Sequence, residues 1–312
     1  MAETLTDTPV LFLIFNRPDT TRQVFDEIRK ARPEQLYVAA DGPRKDRSAD
    51  YELCKKTREI IQQVDWDCKV FTCFRDENLG CKRSVSSAID WFFSHVEEGI
   101  ILEDDCVPDQ SFFPFCQELL KRYRDDTRIM MISGNNFQFG KRRTDYSYYF
   151  SKYVHIWGWA TWRRAWKYYD IDMKSWPEIK EGGWLKDILK DQKAVKFWEK
   201  IFENTHLGKI DTWDYEWVFS CWIQNGLSIL PNVNLVRNIG FDGNATHTKG
   251  KNKQSDLPVS SIQVPLKNPE FIILDNDADA RTQLLLMQKK DIIHIIKEKY
   301  QIFTSMNSRS KF

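Results

Sequence analysis

The strongest constraint on the fold is an alternation of short apolar runs with segments of helical spacing. The runs are VLFLIF (10–15), QLYVAADGP (35–43), CKVFTCF (68–74), GIILEDD (99–105) and RIMMISG (128–134). Near-continuous apolarity within a run marks a strand covered on both faces, as in a parallel sheet. Between the runs, residues 19–31 carry Val24, Phe25 and Ile28 at helical spacing, and 49–64, 78–96 and 110–124 read the same way. A β-α-β-α-β-α-β-α-β order with right-handed crossovers predicts an α/β fold, a doubly wound, mostly parallel sheet flanked by helices. With 312 residues, 42% of them hydrophobic, the chain is long enough to bury a full core.

In such sheets ligands sit beyond the carboxyl ends of the strands. Those ends carry Asn16-Arg17, Asp41-Gly42, Arg75-Asp76-Glu77, Glu103-Asp104-Asp105 and Ser133-Gly134-Asn135-Asn136. No G-x-G-x-x-G follows the first strand and no G-x-x-x-x-G-K-[ST] occurs, so neither a dinucleotide fingerprint nor a P-loop is present. With 46 basic and 45 acidic residues, net charge +1, there is no electrostatic case for nucleic acid or an anionic membrane as the main partner. The seven cysteines include no C-x-x-C, which argues against a zinc site and for reduced thiols. The start MAETLTDTPV has no secretory pattern, and no apolar run approaches the ~20 residues of a membrane span. A soluble, cytoplasmic protein is expected, with peripheral membrane contact left open.

After residue 145 the pattern changes. Residues 146–170, YSYYFSKYVHIWGWATWRRAWKYYD, are dense in aromatics. Helices are expected over 184–203 and 213–225, strands over 227–241 broken at Pro231, a polar loop over 242–256, and an amphipathic helix over 277–300.

Adjacent carboxylates after a buried strand need a partner. Oxygen ligands at a strand end suit a hard divalent ion, Mg²⁺ or Mn²⁺. Strand alternation would point Glu103 and Asp105 to one side and Asp104 to the other. Asp105, nearest the crevice, is then the favoured metal ligand, and Asp104 is placed for a sugar or ribose hydroxyl. The bland alternative is a solvated turn. DTWDYEW (211–217) supplies three more acids between aromatics. Capping a helix accounts for Asp211. Asp214 and Glu216, each beside a Trp, are both candidates for a partly desolvated general base, with Asp214 favoured. Arg17, Lys82 and Arg83 are candidate phosphate contacts. His247, in NATHTKG, is a candidate contact to diphosphate or metal. Trp159, beside Gly158, is the candidate wall for a sugar ring, although Trp159, Trp162 and Trp166 at helical period equally describe a buried stripe.

Taken together, these segments resemble the GT-A-fold glycosyltransferases, and among them N-acetylglucosaminyltransferase I and its relatives, in order over residues 8 to about 250. TPVLFLIFNRP is similar to that family's opening strand and nucleotide-contacting pair, here Asn16-Arg17. AADGP resembles its second strand, which implies that Asp41 reads the uracil. ILEDDCVPDQSFFPF resembles its Glu-Asp-Asp metal motif and the following helix, and MMISGNNFQFG its next strand and Asn-containing loop. WGWATWRRAW looks like the Gly-Trp segment lining the donor sugar, WDYEW its catalytic-base stretch, and GFDGNATH its nucleotide-covering loop.

The resemblance implies an inverting, metal-dependent hexosyltransferase acting in glycan synthesis with Mn²⁺ or Mg²⁺, a UDP-linked donor and a glycan or other hydroxyl acceptor. Glu103 and Asp104 join the nucleotide contacts, and Asn135 and Gly158 the sugar contacts. It also implies a division into a nucleotide-sugar-binding half (1–145), a donor-sugar, acceptor and base half (146–260) and a C-terminal helical segment (261–312). The family's stem and anchor have no counterpart here, which suggests a bacterial-type soluble enzyme. Two rival classes are a sugar nucleotidyltransferase, which would need a Gly-rich loop where NRPDTTRQ stands, and an inactive sugar- or nucleotide-binding protein, which would not need both acid clusters.

Overall fold

The computed structural model describes residues 6–240 and 257–287. In chain order the elements are β1 (Val10–Ile14), α1 (Pro18–Ala31), β2 (Gln35–Ala40), α2 (Ala49–Glu59), β3 (Lys69–Phe74), α3 (Gly80–His95), β4 (Glu98–Glu103), β5 (Cys106–Pro108), α4 (Phe112–Arg122) and β6 (Ile129–Ser133). They continue with β7 (Tyr148–Ser151), β8 (Trp159–Trp162), α5 (Arg163–Trp166), α6 (Trp176–Glu181), α7 (Leu185–Ile188), α8 (Gln192–His206), α9 (Asp214–Ile223), β9 (Leu227–Pro231) and β10 (Val236–Asn238). Residues 276–287 are helical.

Eight strands form one sheet in the order β3-β2-β1-β4-β8-β6-β9-β7. Neighbours from β3 to β4 pair in parallel, as do β6 and β9, whereas β8 is antiparallel to β4 and β6, and β7 to β9. The expected α/β fold with a mostly parallel, helix-flanked sheet is therefore present. The two halves expected from sequence share this sheet, since β8 lies between β4 and β6.

The apolar runs are continuous because each strand feeds two cores. Val10, Phe12, Ile14, Val38, Ile100 and Leu102 pack under α1 and α4, while Leu11, Leu13, Tyr37 and Ile101 pack under α3 and α9. Helix α1 starts at Pro18, whose fixed φ suits a first helical position, and buries Val24, Phe25, Ile28 and Ala31.

The reading of 146–170 needs correction. Trp159–Trp162 form a strand, not a helical face, so Trp159 points into one core and Trp162 into the other. Helix formation is confined to Arg163–Trp166. The expected helix 184–203 is two helices, α7 and α8, with Asp191 capping the second by accepting the Lys193 N–H. Among the described residues no helix is long and apolar enough to cross a membrane.

Candidate functional site

Winding reverses between β1 and β4, because α1 leads outward to β2 whereas α3 returns the chain to β4 on the other side of β1. A crevice opens at such a switch point. Here β1 delivers Arg17 and β4 delivers the acids. Strand β4 stops at Glu103, and Asp104-Asp105 form the turn into β5. The turn overrides the alternation expected from sequence, and both aspartates reach the same guanidinium. Arg17 donates Nε–H to Asp104 Oδ2 at 3.2 Å and a second hydrogen bond to Oδ1, and its Nη2 lies 3.0 Å from Asp105 Oδ2. Burial alone would lower the Arg17 pKa, but the charges of Asp104 and Asp105 more than reverse this, so the cation is held. Glu103 is pushed up to about 8 by burial and by the charges of Asp105 and Asp104.

The β5–β10 ribbon closes over this turn. Ile239 N–H donates to the Asp105 carbonyl at 2.8 Å, and Asn238 Nδ2 to Asp105 Oδ1 at 3.4 Å. Gly240 follows, and a Cβ there would run into the Asp105 carboxylate. His247 and the loop 242–256 lie outside the described residues.

Across the crevice stand α3 and α9. Asp211 accepts the Lys82 N–H at 3.3 Å, in the first turn of α3, where a negative charge meets unpaired amides. Asp214 opens α9, half-buried, and accepts a hydrogen bond from the Thr212 hydroxyl. The Cys81 thiol lies in the combined field of Glu103, Asp214, Asp211 and Asp41, and burial together with those charges pushes its pKa up. Acids from three parts of the chain, Asp41 after β2, Glu103 at the end of β4, and Asp211 and Asp214 where α9 opens, thus act on one thiol. Asp211 entered the sequence reading only as a helix cap. Its proximity to α3 spans 129 residues of chain, and no local pattern encodes it.

Glu216, the second base candidate, is fully buried. Lys82 Nζ lies 2.7 Å from its Oε1, yet neither carboxylate oxygen accepts a well-aligned hydrogen bond. Burial pushes Glu216 up to about 7, against the opposing pull of Lys82. Lys82, expected at the phosphates, instead turns its ammonium towards Glu216. Arg83 is exposed on another face of α3 and lines a groove of about 430 Å³ with Asp90, Tyr169 and Lys174, and none of the β4 carboxylates lines that groove.

Other expected contacts are taken up internally. Asn16 Nδ2 donates to Asp50 at 2.8 Å, and Asp50 also pairs with Arg44. Asp41 accepts N–H bonds from Gly42 at 2.9 Å and Leu79 at 3.0 Å and a side-chain bond from Asn78 at 2.9 Å, so it latches the β3–α3 loop. A nucleobase would have to share acceptors already in use. Asn135 is fully buried, accepting from Trp157 N–H at 3.1 Å and Ser133 Oγ at 3.2 Å. Trp159 is fully buried and stacks on Trp213 with centroids 5.5 Å apart. Gly158, at φ 64, brings its carbonyl to Gly134 N–H at 2.7 Å, and a Cβ there would press on Val236. Asn135, Gly158 and Trp159 are therefore framework, not an exposed sugar wall. A central strand under a helix buries its Trp whatever the residue type suggests about carbohydrate.

Whether a divalent ion suits the β4 turn follows from its donors. Among the described residues no three His, Cys, Asp or Glu side chains converge to cage an ion. Magnesium, however, is usually held by one or two carboxylates plus substrate phosphates. Asp105 offers hard oxygen at the crevice, beside the Arg17 guanidinium. The donor set fits such an ion as part of a ternary site with phosphate.

No protein-family model matches the chain, and no curated protein matches it. Among solved structures it is similar to HddC from Yersinia pseudotuberculosis, at 9% identity and a TM-score of 0.31, over 50% of this chain and 77% of that one. A likeness of that strength carries no argument about function.

Proposed function

We propose that the chain is a GT-A-type, inverting glycosyltransferase that moves a sugar from a nucleotide-diphosphate donor, UDP-linked, to an acceptor hydroxyl. One observation carries this reading. The Glu103-Asp104-Asp105 turn is joined to Arg17 at the switch point, and Asp214, at the start of α9, is near enough for its charge to help raise the Glu103 pKa. One pole suits the diphosphate and the other suits a proton acceptor.

Asp105 would hold a divalent ion here, which when bound would supply neutralisation of the leaving group's charge. Arg17 holds Asp104 and Asp105 together before substrate arrives. Asp214 is the better base because it is half-buried and reachable, whereas Glu216 is enclosed and paired with Lys82. Asp214 takes the acceptor's hydroxyl proton as the new bond to the anomeric carbon forms and the bond to the diphosphate breaks. The electron pair leaves with the nucleotide, so configuration inverts in one displacement. General-base catalysis of this kind contributes roughly 10²–10⁴ in rate.

The test is a panel of nucleotide sugars with the purified chain in Mn²⁺, Mg²⁺ or chelator, followed by thermal shift and by release of nucleoside diphosphate. A donor that stabilises the protein only with metal, and is consumed, supports the reading. Full turnover in chelator, or retained anomeric configuration in the product, overturns it.

A further inference from the structure

The helix 276–287 docks on the β7 end of the sheet with its polarity inverted. The chain reaches it along the β7 edge, where Asp275 N–H donates to the Phe150 carbonyl at 2.9 Å and Leu274 bridges Phe150. From there the buried positions are Asp275, Ala278, Asp279, Thr282 and Gln283, one helical stripe, while Leu284 is 55% exposed. A stripe at that spacing is ordinarily apolar. Here Ala278, packed on Tyr149 and Leu230, is its one apolar member. Hydrogen bonds hold the rest. Gln138 Nε2 donates to the Ala278 carbonyl at 3.2 Å and to Thr282 Oγ1 at 3.1 Å, and Gln138 Oε1 accepts from Arg281 Nε at 2.7 Å. Gln283 Oε1 accepts from the Tyr153 hydroxyl at 2.6 Å and from Trp198 Nε1 at 2.8 Å. Asp279 accepts from the Ser151 hydroxyl and from Lys152 N–H at 3.2 Å. A helix seated on so little apolar area opens more readily than the core beneath it.

Asp279 is the weak point of this seam. It is buried, and its hydrogen bonds come from a neutral hydroxyl and a peptide group. Lys152, whose charge reaches it, turns its own ammonium to the Ile188 carbonyl at 3.1 Å. Tyr149 and Tyr153 also face it from the sheet, Asp275 and Arg281 lie on its own helix, and Asp191, ahead of α8, acts on Tyr153. Burial outweighs the two hydrogen bonds and pushes the Asp279 pKa up to about 6. The Tyr149 and Ser228 hydroxyls and the Gln283 amide nitrogen make no well-aligned hydrogen bond. Ser228 stands opposite Ser151 across the β7–β9 ladder, and Tyr149 shares that face two residues earlier. Both hydroxyls offer an acceptor to a carboxyl proton, so the seam is better satisfied with Asp279 protonated than ionised.

We propose that helix 276–287 is a detachable clasp, latched through Asp279 and loosened as pH rises. What it grips is Gln138, in the loop that follows β6. Because β8 is antiparallel to both β4 and β6, that loop lies at the same end of the sheet as the β4 acids. The sign follows from the two states of the latch. A released Asp279 is an ordinary carboxylate, whereas the docked one holds its proton to higher pH, so docking takes up a proton. The gain is fully present below the released value and is lost as pH rises through the docked value. Docking is then about tenfold more favourable at pH 5 than at pH 8. The proposal is independent of the catalytic reading.

Hydrogen exchange of the full-length protein, followed by mass spectrometry from pH 5 to pH 8 and corrected for intrinsic rates, tests it. Peptides of 276–287 should open about tenfold more at pH 8 than at pH 5, measured against the buried helix α1 as internal reference. Asp279→Asn keeps an acceptor oxygen but cannot titrate, so its ratio should be flat. Gln138→Ala should raise opening at every pH and leave the pH ratio in place. Exchange of 276–287 only together with α1 overturns the clasp. Opening that is constant or falls as pH rises, or an Asp279→Asn ratio equal to that of wild type, overturns the latch. The wild-type profile decides the clasp and the sign by itself, whether or not either variant folds.

Discussion

Replacing Glu216 by Gln should make the protein's stability less dependent on pH, and the structure sets the size and sign. Glu216 is fully buried, and Lys82 touches one oxygen at 2.7 Å without a well-aligned hydrogen bond. Burial raises its pKa from 4.5 to about 7, Lys82 opposing this and Asp214 adding to it. Between those two values the folded chain keeps a proton that the unfolded chain has released. A raised pKa stabilises fully below the unfolded value, and that stability is lost as pH rises through the folded value. At about 1.4 kcal/mol per unit the loss comes to about 3 kcal/mol between pH 4.5 and pH 8. Gln cannot titrate and shows no such loss. Urea unfolding of both proteins across that range should therefore show the variant gaining about 3 kcal/mol on the wild type as pH rises. A constant difference, or one that widens against the variant at high pH, would mean that Lys82 keeps the carboxylate ionised throughout and would refute the argument.

Three further outcomes follow from the same geometry. Asp214→Asn should lower transfer by roughly 10²-fold or more with little change in nucleotide affinity, read by steady-state kinetics and calorimetry; near-native turnover there with a dead Glu216→Gln would move the base to Glu216. Asp105→Ala should abolish metal-dependent donor binding in a thermal-shift assay while the apo protein still melts cooperatively, and unchanged activity would end its role as ligand. Asp41→Ala should cost about 1–3 kcal/mol by urea unfolding, because it strands the Leu79 N–H and Asn78 amide it now accepts from, and should weaken nucleotide binding more than it slows turnover; a fall in turnover at unchanged affinity would count against a role in holding the nucleotide's side of the crevice.

The sequence carried the fold further than the site. Continuous apolarity in VLFLIF and GIILEDD signalled strands covered on both faces, and Leu11 and Phe12 do enter opposite cores. The antiparallel strands were hidden. YSYYFS and WATW have no period that separates a buried strand from a buried helix, and β8 takes its place between β4 and β6 only through partners remote in sequence. Residue type also misled at Trp159. A tryptophan suits a sugar face and a core equally, and burial under Trp213 decides between them.

The acids show the same limit from the other side. A strand end is local, so Glu103-Asp104-Asp105 could be read directly, and so could the first turn of α9. What could not be read is the pairing. Arg17 meets Asp104 across 87 residues, and Lys82 meets Glu216 across the core, because β1, β4, α3 and α9 converge at one end of the sheet. On the proposed reading, that pairing favours Asp214 over Glu216 as the base. A carboxylate enclosed with its own ammonium has no open path to a substrate hydroxyl, whereas one half-exposed on the first turn of the same helix does. The choice between Glu216 and Asp214, open in the sequence, turns on which of two neighbouring side chains the helix directs into the protein and which it leaves at the crevice.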